Sequence, residues 1–253
     1  MEVTATSIAK CHGEVLDALS DLAATTNVAH GRGERVQADR KSQYQYLGLR
    51  TPDRRKRVAA GFSFTAEPTE ALETWNGIWN LTDNGDVLFA ALDFYRTARP
   101  DDTQRFWDTV VGWVARIDNC AHADDLGRIY SFALEATPDL VYPVLEGWSQ
   151  GESVWHKRVS IVSLIHYSGK NAVFLPATPM LRLVANCVAD DRDSIYKAVG
   201  WVLREMMTIY PSEVAEFLAV HAADMHPFAI RRATDRLPTA ERDRLRSSLF
   251  GSS

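Results

Sequence analysis

Apolar residues recur every three or four positions along most of the chain, which is the period of one face of an α-helix. Strict alternation of apolar and polar residues, the pattern of a half-buried strand, is almost absent. The sequence therefore predicts an all-α fold. The apolar stripes comprise Ala71, Leu72, Trp75, Ile78 and Trp79; Val87, Leu88, Ala91, Leu92 and Tyr95; Phe106, Val110, Trp113 and Val114; Leu126, Ile129, Tyr130, Ala133 and Leu134; Val159, Val162 and Ile165; Ile195, Val199, Val202, Leu203 and Met206.

Helix-opening prolines and aspartate-rich turns are spaced regularly. Taken from positions 68, 101, 138, 177 and 211, the intervals are 33, 37, 39 and 34 residues, the length of a helical hairpin. This period predicts an α-solenoid of HEAT-like two-helix repeats, in which every second helix lines a concave surface suited to a long ligand. We expect one domain over 1–253, with an N-terminal helical cap (1–60), repeats (61–240) and a basic C-terminal end (241–253).

Composition narrows the class of protein. The chain has 253 residues, 46% of them hydrophobic, but no apolar run long enough to cross a membrane. The N-terminus lacks the pattern of a signal peptide, so we expect a cytoplasmic protein. The cysteines, Cys11, Cys120 and Cys187, have no metal-ligand or disulfide spacing, and His156 and His166 lack a third ligand. We predict neither a metal nor an organic cofactor.

Charge is segregated along the chain, although the net charge is only −5. Residues 1–66 carry a balance of +3, residues 67–153 of −11 and residues 154–253 of +3. The two ends could therefore face phosphates while the middle presents an acidic surface. The alternative for the basic run at 54–57 is a solvated helix face.

The first segment with candidate chemistry runs from 44 to 55. Gly48 permits a tight turn, and Thr51-Pro52 has the pattern of an N-cap followed by a first-turn proline. The free backbone N–H groups of the helix that follows would lie beside Arg54 and Arg55, an arrangement that suits a phosphate.

Two further segments carry polar residues in apolar surroundings. Asp124 and Asp125 precede an apolar stripe, where their alternative role is capping and compensation of the helix dipole. Arg158 and Arg204 each lie in a mostly apolar helix, where a cation is costly unless its end reaches water or meets an anion. The alternative role for Trp201 is packing in the helical core.

Three strings together resemble the AlkD-type DNA alkylation repair glycosylases. They are Gly-Leu-Arg-Thr-Pro-Asp-Arg-Arg (48–55), Val-Trp-His-Lys-Arg (154–158) and Lys-Ala-Val-Gly-Trp-Val-Leu-Arg-Glu (197–205), of which the last is the most specific. The resemblance extends from about residue 40 to about residue 235. It implies a HEAT-like solenoid that holds duplex DNA and excises N3- or N7-alkylated purines without a deep base-flipping pocket.

The resemblance also implies roles for single residues. Asp124 matches the catalytic carboxylate, Trp201 an active-site tryptophan and Arg158 a DNA-backbone arginine. The DNA-binding set implied by the three strings and by the segment before Asp124 is Arg50, Thr51, Arg54, Arg55, Cys120, Trp155, Lys157 and Arg204. One position departs from the family pattern, because Cys120 stands where the family has tryptophan, four residues before the carboxylate. The assignment of Asp124 over Asp125 rests on this spacing.

The smaller side chain at Cys120 leads to a hypothesis about the substrate. Space beside the sugar would admit an adduct bulkier than methyl, such as the natural-product adducts removed by family members in antibiotic-producing bacteria. The alternative is a small buried hydrophobe at Cys120 with an unchanged substrate range.

Three functions follow, of which a monofunctional glycosylase acting on duplex DNA as a monomer is preferred. A bacterial enzyme of this kind would associate with the nucleoid. The alternatives are a catalytically silent DNA-structure binder, suggested by Cys120, and a HEAT-like scaffold for protein partners, suggested by the net acidity.

Overall fold

A computed structural model describes residues 4–165 and 175–250, and both ranges consist almost entirely of α-helices. Within them no strand occurs, and β pairing is limited to one bridge between Gln45 and Asn84. The all-α prediction is confirmed. The helices are α1 Ala5–Thr25, α2 Arg32–Arg40, α3 Thr51–Ala59, α4 Ala71–Leu81, α5 Gly85–Thr97, α6 Thr103–Val110, the 3-10 helix Val111–Arg116, α7 Cys120–Ala136, α8 Pro138–Gln150, α9 Val154–Val162, α10 Ala177–Ala185, α11 Asp193–Met207, α12 Pro211–His221, α13 Pro227–Ala233 and α14 Thr239–Phe250.

The helix boundaries follow the predicted period of two-helix repeats. The first helices of five successive hairpins, α4, α6, α8, α10 and α12, begin at residues 71, 103, 138, 177 and 211. Pro138 and Pro211 occupy the first helical position, where the missing N–H costs no hydrogen bond. The second helices of the hairpins are α5, α7, α9, α11 and α13.

The chain divides into two compact units, Met1–Ile129 and Tyr130–Ser253, with the boundary inside α7. The expectation of a single domain over 1–253 stays a prediction. None of the helices in the described residues is long and apolar enough to cross a membrane.

In the first unit, α3 lies parallel to α5, so the row of second helices starts inside the segment predicted as a cap. The backbone just before α3, at Leu47, contacts Asp86 in the first turn of α5, and seven residues later Arg54 contacts Asp93. The start of α7 joins the same row, because the His122 ring bonds to the first carbonyl of α5.

In the second unit, α9, α11 and α13 form an equivalent row. The Arg192 guanidinium, just before α11, donates to the carbonyl of Glu152, just before α9. Tyr196 in the first turn of α11 stacks on His226, the N-cap of α13, with ring centroids 3.8 Å apart. In both units, second helices therefore begin side by side.

The predicted apolar stripes form the core. Trp75, Trp79 and Trp113 are fully or almost fully buried, and the rings of Trp79 and Trp113 stack at 4.5 Å. Large aromatic groups in α4 and the 3-10 helix thus fix the first two hairpins to each other, because such side chains bury the most apolar area.

Gly200 allows the closest approach of α11 to α13. A Cβ atom at this position would lie 2.8 Å from the Cβ of Arg232 and 2.9 Å from the Cα and carbonyl oxygen of Ala229. Backbone atoms cannot yield as the end of a flexible side chain can, so the two helices would have to separate.

We expect Gly200→Ala to lower the free energy of unfolding by about 1–3 kcal/mol. Gly147→Ala is the matched control, since nothing lies within 4 Å of a Cβ at this exposed helical position. That change should raise stability by about 0.5–1 kcal/mol, because alanine favours the helix over glycine. Urea unfolding of both variants measures the effect, and equal stabilisation by both changes would contradict close packing at Gly200.

Candidate functional site

The loop before α3 is fastened by a carboxylate at the start of α7. Oδ2 of Asp118 accepts hydrogen bonds from the Ser42 hydroxyl and the Gln43 backbone N–H, both at 2.7 Å. Its Oδ1 accepts from the Asn119 amide at 2.7 Å. Burial would raise the pKa of Asp118, but these bonds and that with His122 outweigh it and lower the pKa to about 2. The loop is therefore held by a carboxylate that stays ionised.

A second carboxylate sets the turn that leads into α3. Oδ2 of Asp86 accepts from the backbone N–H groups of Leu47 at 2.9 Å and Gly48 at 3.2 Å. Gly48 has φ +77°, a left-handed conformation that favours glycine, and a Cβ there would lie 2.9 Å from the nitrogen of Gly33. The predicted tight turn at Gly48 is present.

Helix α3 begins without a side-chain cap. Its N-cap residue is Arg50, and Thr51 is the first helical residue, so the expected Thr51 N-cap is wrong by one position. Arg50 and Thr51 are exposed, as is Lys56. The start of α3 therefore presents cations and backbone donors at the surface.

Arg54 does not belong to that surface. Only 2% of the residue is exposed, and its guanidinium lies 2.8 Å from Asp93 and 3.4 Å from Asp86, over the ring of Phe89. The prediction that Arg54 contacts DNA is wrong, because the guanidinium is enclosed by two carboxylates and an aromatic ring. Its role is to join α3 to α5.

Arg55 is placed between the buried cluster and the surface. Its Nε donates to Asp93 at 2.9 Å and its Nη2 lies 3.7 Å from Asp125, while 32% of its side chain stays exposed. Arg55 thus connects α3 to α7 as well as to α5.

Asn119, rather than an aspartate, caps α7. Its Oδ1 accepts from the backbone N–H groups of Ala121 and His122, both at 3.1 Å. Asp124 and Asp125 lie in the second turn, where no free N–H remains to be capped, so the capping alternative for them is wrong.

His122 locks this helix start in place. The ring is fully buried, with Nδ1 2.8 Å from the Asn119 amide nitrogen and Nε2 3.2 Å from the carbonyl oxygen of Gly85. Both ring nitrogens therefore have polar partners. Burial lowers the pKa of His122, which favours the neutral ring.

The two adjacent aspartates of α7 are both half-buried and lie on different sides of the helix. Burial and the nearby Asp93 raise the pKa of Asp125, against the lowering effect of Arg55 and other arginines. Asp124 is half-buried and lies about 100° around the helix from Asp125. Cys120, one turn before Asp124, is half-buried too.

In the second unit, the basic residues of α9 meet partners inside the protein. Arg158 is 5% exposed, and its Nη1 donates to the carbonyl of Ser194. Lys157 lies 3.3 Å from Asp190, with 13% of its side chain exposed. Hydrogen bonds from Arg192 are the main cause that lowers the pKa of Asp190 to about 2. Trp155 is half-buried.

Trp201 and Arg204 converge on one carboxylate. Oε1 of Glu205 accepts from the Trp201 indole N–H at 3.2 Å and from Nη2 of Arg204 at 2.8 Å. Its Oε2 accepts from Arg236 at 2.7 Å. Burial would raise the pKa of Glu205, but the hydrogen bonds from the two arginines outweigh it, so the pKa is lowered.

The described residues hold no group of three or more histidine, cysteine or acidic side chains that could bind a metal. Nδ1 of His156 lies 2.9 Å from the hydroxyl of Ser153, the N-cap of α9, and His166 lies outside the described residues.

Comparison with known proteins identifies the family. A sequence profile described as DNA alkylation repair enzyme matches residues 18–237. The chain belongs to the DNA alkylation repair enzyme family. A solved structure described as a predicted DNA alkylation repair enzyme from Enterococcus faecalis is similar in fold, with a TM-score of 0.63, 17% identity, and coverage of 83% of this chain and 96% of that chain. No curated protein matches the sequence.

Within this family fold, sequence reasoning found the helices that carry the site but missed its buried anions. Asp86, Asp93 and Asp118 received no role, and neither did Glu205, although it ends the most specific string. The only signal was Arg204, a cation in a mostly apolar helix that required an anion, and the sequence did not show which acidic residue would meet it.

The burial of Arg54 predicts that its removal destabilises the fold. Arg54→Ala leaves Asp86 and Asp93 buried without this partner, so we expect the free energy of unfolding to fall by about 3 kcal/mol or more. Lys56→Ala, two residues away on the exposed side of α3, should change it by less than about 0.5 kcal/mol. Denaturant unfolding compares the two, and a similar small change in both would contradict a structural role for Arg54.

The lowered pKa of Asp118 predicts that the free energy of unfolding decreases in acid. Because its folded pKa of about 2 lies below the ordinary 3.8, the ionised form stabilises the fold above pH 4, by about 2 kcal/mol. That contribution is lost as the pH falls from about 4 through 2. Unfolding free energies between pH 6 and pH 2 should show a gap between wild type and Asp118→Asn that closes toward pH 2. A gap independent of pH would contradict the assignment.

Proposed function

We propose that the protein is a monofunctional DNA glycosylase of the AlkD type, which hydrolyses the N-glycosidic bond of N3- or N7-alkylated purines in duplex DNA. Family membership supports the repair of alkylated DNA. The choice of Asp124 rests on its spacing to Cys120 in the family pattern, four residues after that position. The neighbouring Asp125 is engaged by Arg55 and influenced by Asp93, and it lies about 100° away around the helix.

The chemistry needs little more than a carboxylate. An N3- or N7-alkylated purine is cationic, so it leaves as a neutral base when the C1′–N bond breaks and the nitrogen keeps the electron pair. Asp124 would stabilise the positive charge that develops on the sugar and orient a water molecule. The water oxygen bonds to C1′, and its proton passes to the carboxylate or to solvent.

By the family resemblance, Trp201 would contribute an aromatic face to catalysis. An indole can pack on deoxyribose and attract the developing cation through its π system. Its N–H donates to Glu205, so the indole is held at its edge. The mechanism requires no metal or organic cofactor.

The burial pattern changes which cations would hold the DNA. Arg54, Lys157 and Arg158 meet partners inside the protein, so we assign phosphate contacts first to the exposed Arg50 and Lys56 and to the partly exposed Arg55. The backbone N–H of Thr51, at the uncapped start of α3, would add a donor to the same phosphate region. Affinity for DNA should then fall steeply with salt.

Cys120 bears on the choice of adduct. A half-buried thiol occupies the position one turn before Asp124, so the sugar-facing side of α7 lacks a bulky indole there. This favours a larger adduct than methyl as the substrate. The second candidate function is that of a catalytically silent DNA binder. Cys120 favours it because the family pattern has a tryptophan at this position.

The deciding experiment compares Asp124→Asn with Asp125→Asn on duplexes that carry N7-methylguanine or a bulky N3-adenine adduct. We expect Asp124→Asn to slow release of the free base by about 100-fold or more, because it removes the charge that stabilises the transition state. Asp125→Asn should stay within a few-fold of wild type, since burial and Asp93 already disfavour its charge.

The outcomes separate the alternatives. Loss of release in Asp125→Asn but not in Asp124→Asn would overturn the choice of carboxylate. No release by wild type, with salt-sensitive DNA binding intact, would favour the silent binder. Faster release of the methylated base than of the bulky one would contradict the proposal for Cys120.

A further inference from the structure

Glu205 accepts a hydrogen bond directly from the indole N–H of Trp201. The two residues are four apart in α11, so their side chains lie one above the other on the same face of the helix. The Nε1–Oε1 distance is 3.2 Å, and Glu205 is 7% exposed. A buried carboxylate therefore meets the indole N–H.

The carboxylate itself is held from two further directions. Arg204 donates to Oε1 from Nε at 3.2 Å and from Nη2 at 2.8 Å, and Arg236, which follows α13, donates to Oε2 at 2.7 Å. Charge-assisted bonds of this kind are short and directional. Glu205 consequently has little freedom to rotate.

We propose that Glu205 is a positioning residue, which fixes the plane of the Trp201 indole and is itself held by Arg204 and Arg236. The consequence for catalysis rests on the proposed glycosylase function. If the ring of Trp201 faces the sugar, a rotation about its side-chain bonds would displace the aromatic face by an ångström or more, and small displacements of this kind are costly to catalysis.

This arrangement gives Arg204 a different role from the one expected from the sequence. Its guanidinium donates to Glu205 and lies 3.8 Å from Asp235, and only 12% of its side chain is exposed. Arg204 would support the carboxylate that orients the indole, rather than grip a phosphate. The structure thus links the Trp-Val-Leu-Arg-Glu string into one unit of indole, cation and anion.

The experiment follows the Trp201 indole N–H directly, by 1H–15N NMR of the full chain. Its cross-peak is assigned by its absence in Trp201→Phe. We expect Glu205→Ala to move this peak, because the acceptor is removed, and Glu205→Gln to leave it near its wild-type position, because the amide oxygen can still accept. Asp235→Asn is the matched control, since Asp235 contacts Arg204, while the indole N–H donates to Glu205.

The same variants are then measured in single-turnover release of N7-methylguanine. Glu205→Ala should lower the maximal rate by about 10-fold or more, with a smaller change in DNA affinity, and Glu205→Gln should restore most of the rate. A merely structural ion pair would lower stability in both variants without moving the rate and the indole peak together.

Each result decides the proposal. An unmoved Trp201 peak in folded Glu205→Ala overturns it, whatever the rate. If Glu205→Ala does not fold, Glu205→Asp replaces it: the shorter side chain withdraws the carboxylate from the indole and should move the peak, and an unmoved peak again overturns the proposal. If wild type releases no base, the glycosylase function fails, while the position of the indole peak still tests whether Glu205 orients Trp201.

Discussion

One buried charge with partners of opposite sign organises each row of second helices. In the first unit it is Arg54, enclosed by Asp86 and Asp93; in the second it is Glu205, enclosed by Arg204 and Arg236. An unpaired charge in such a position would cost several kcal/mol, so the partners tolerate little displacement. The clusters therefore fix the rotation and register of α3 on α5 and connect α11 to the segment after α13 more strictly than apolar packing alone, which accepts many similar arrangements.

This constraint changes how the basic residues are interpreted. A cation in a DNA repair protein invites assignment to a phosphate, but a guanidinium surrounded by carboxylates has already exchanged its water for protein partners. The cations that keep water, such as Arg50 and Lys56, are the ones that can exchange it for DNA and release counterions. The same distinction explains part of the negative charge in the middle of the sequence. Asp86, Asp93 and Asp118 are internal partners of other groups rather than parts of a solvated acidic surface.

The sequence predicted the repeat period well because prolines and apolar spacing act locally. The hairpins starting at Pro138, Ala177 and Pro211 begin where the pattern placed them, and the predicted stripe of Trp75 and Trp79 is buried. The partners of the charged residues could not be predicted in the same way. Arg54 meets Asp93 across 39 positions and Glu205 meets Arg236 across 31, and the sequence contains many other acids and arginines at comparable spacing. Only the register between parallel helices selects the pair, and that register is a property of the packed structure.

The proposed site on α7 combines a carboxylate with a small neighbouring side chain one turn earlier. The helix start is fixed by Asn119, by the buried His122 and by Asp118. Asp124 follows in the next turn and takes its place from the helix backbone. Under the proposed function, the residue at 120 sets the space for an adduct while Asp124 supplies the carboxylate, so substrate size and bond cleavage have separate determinants. A site with such a division can change its preferred lesion by one substitution and retain its chemistry.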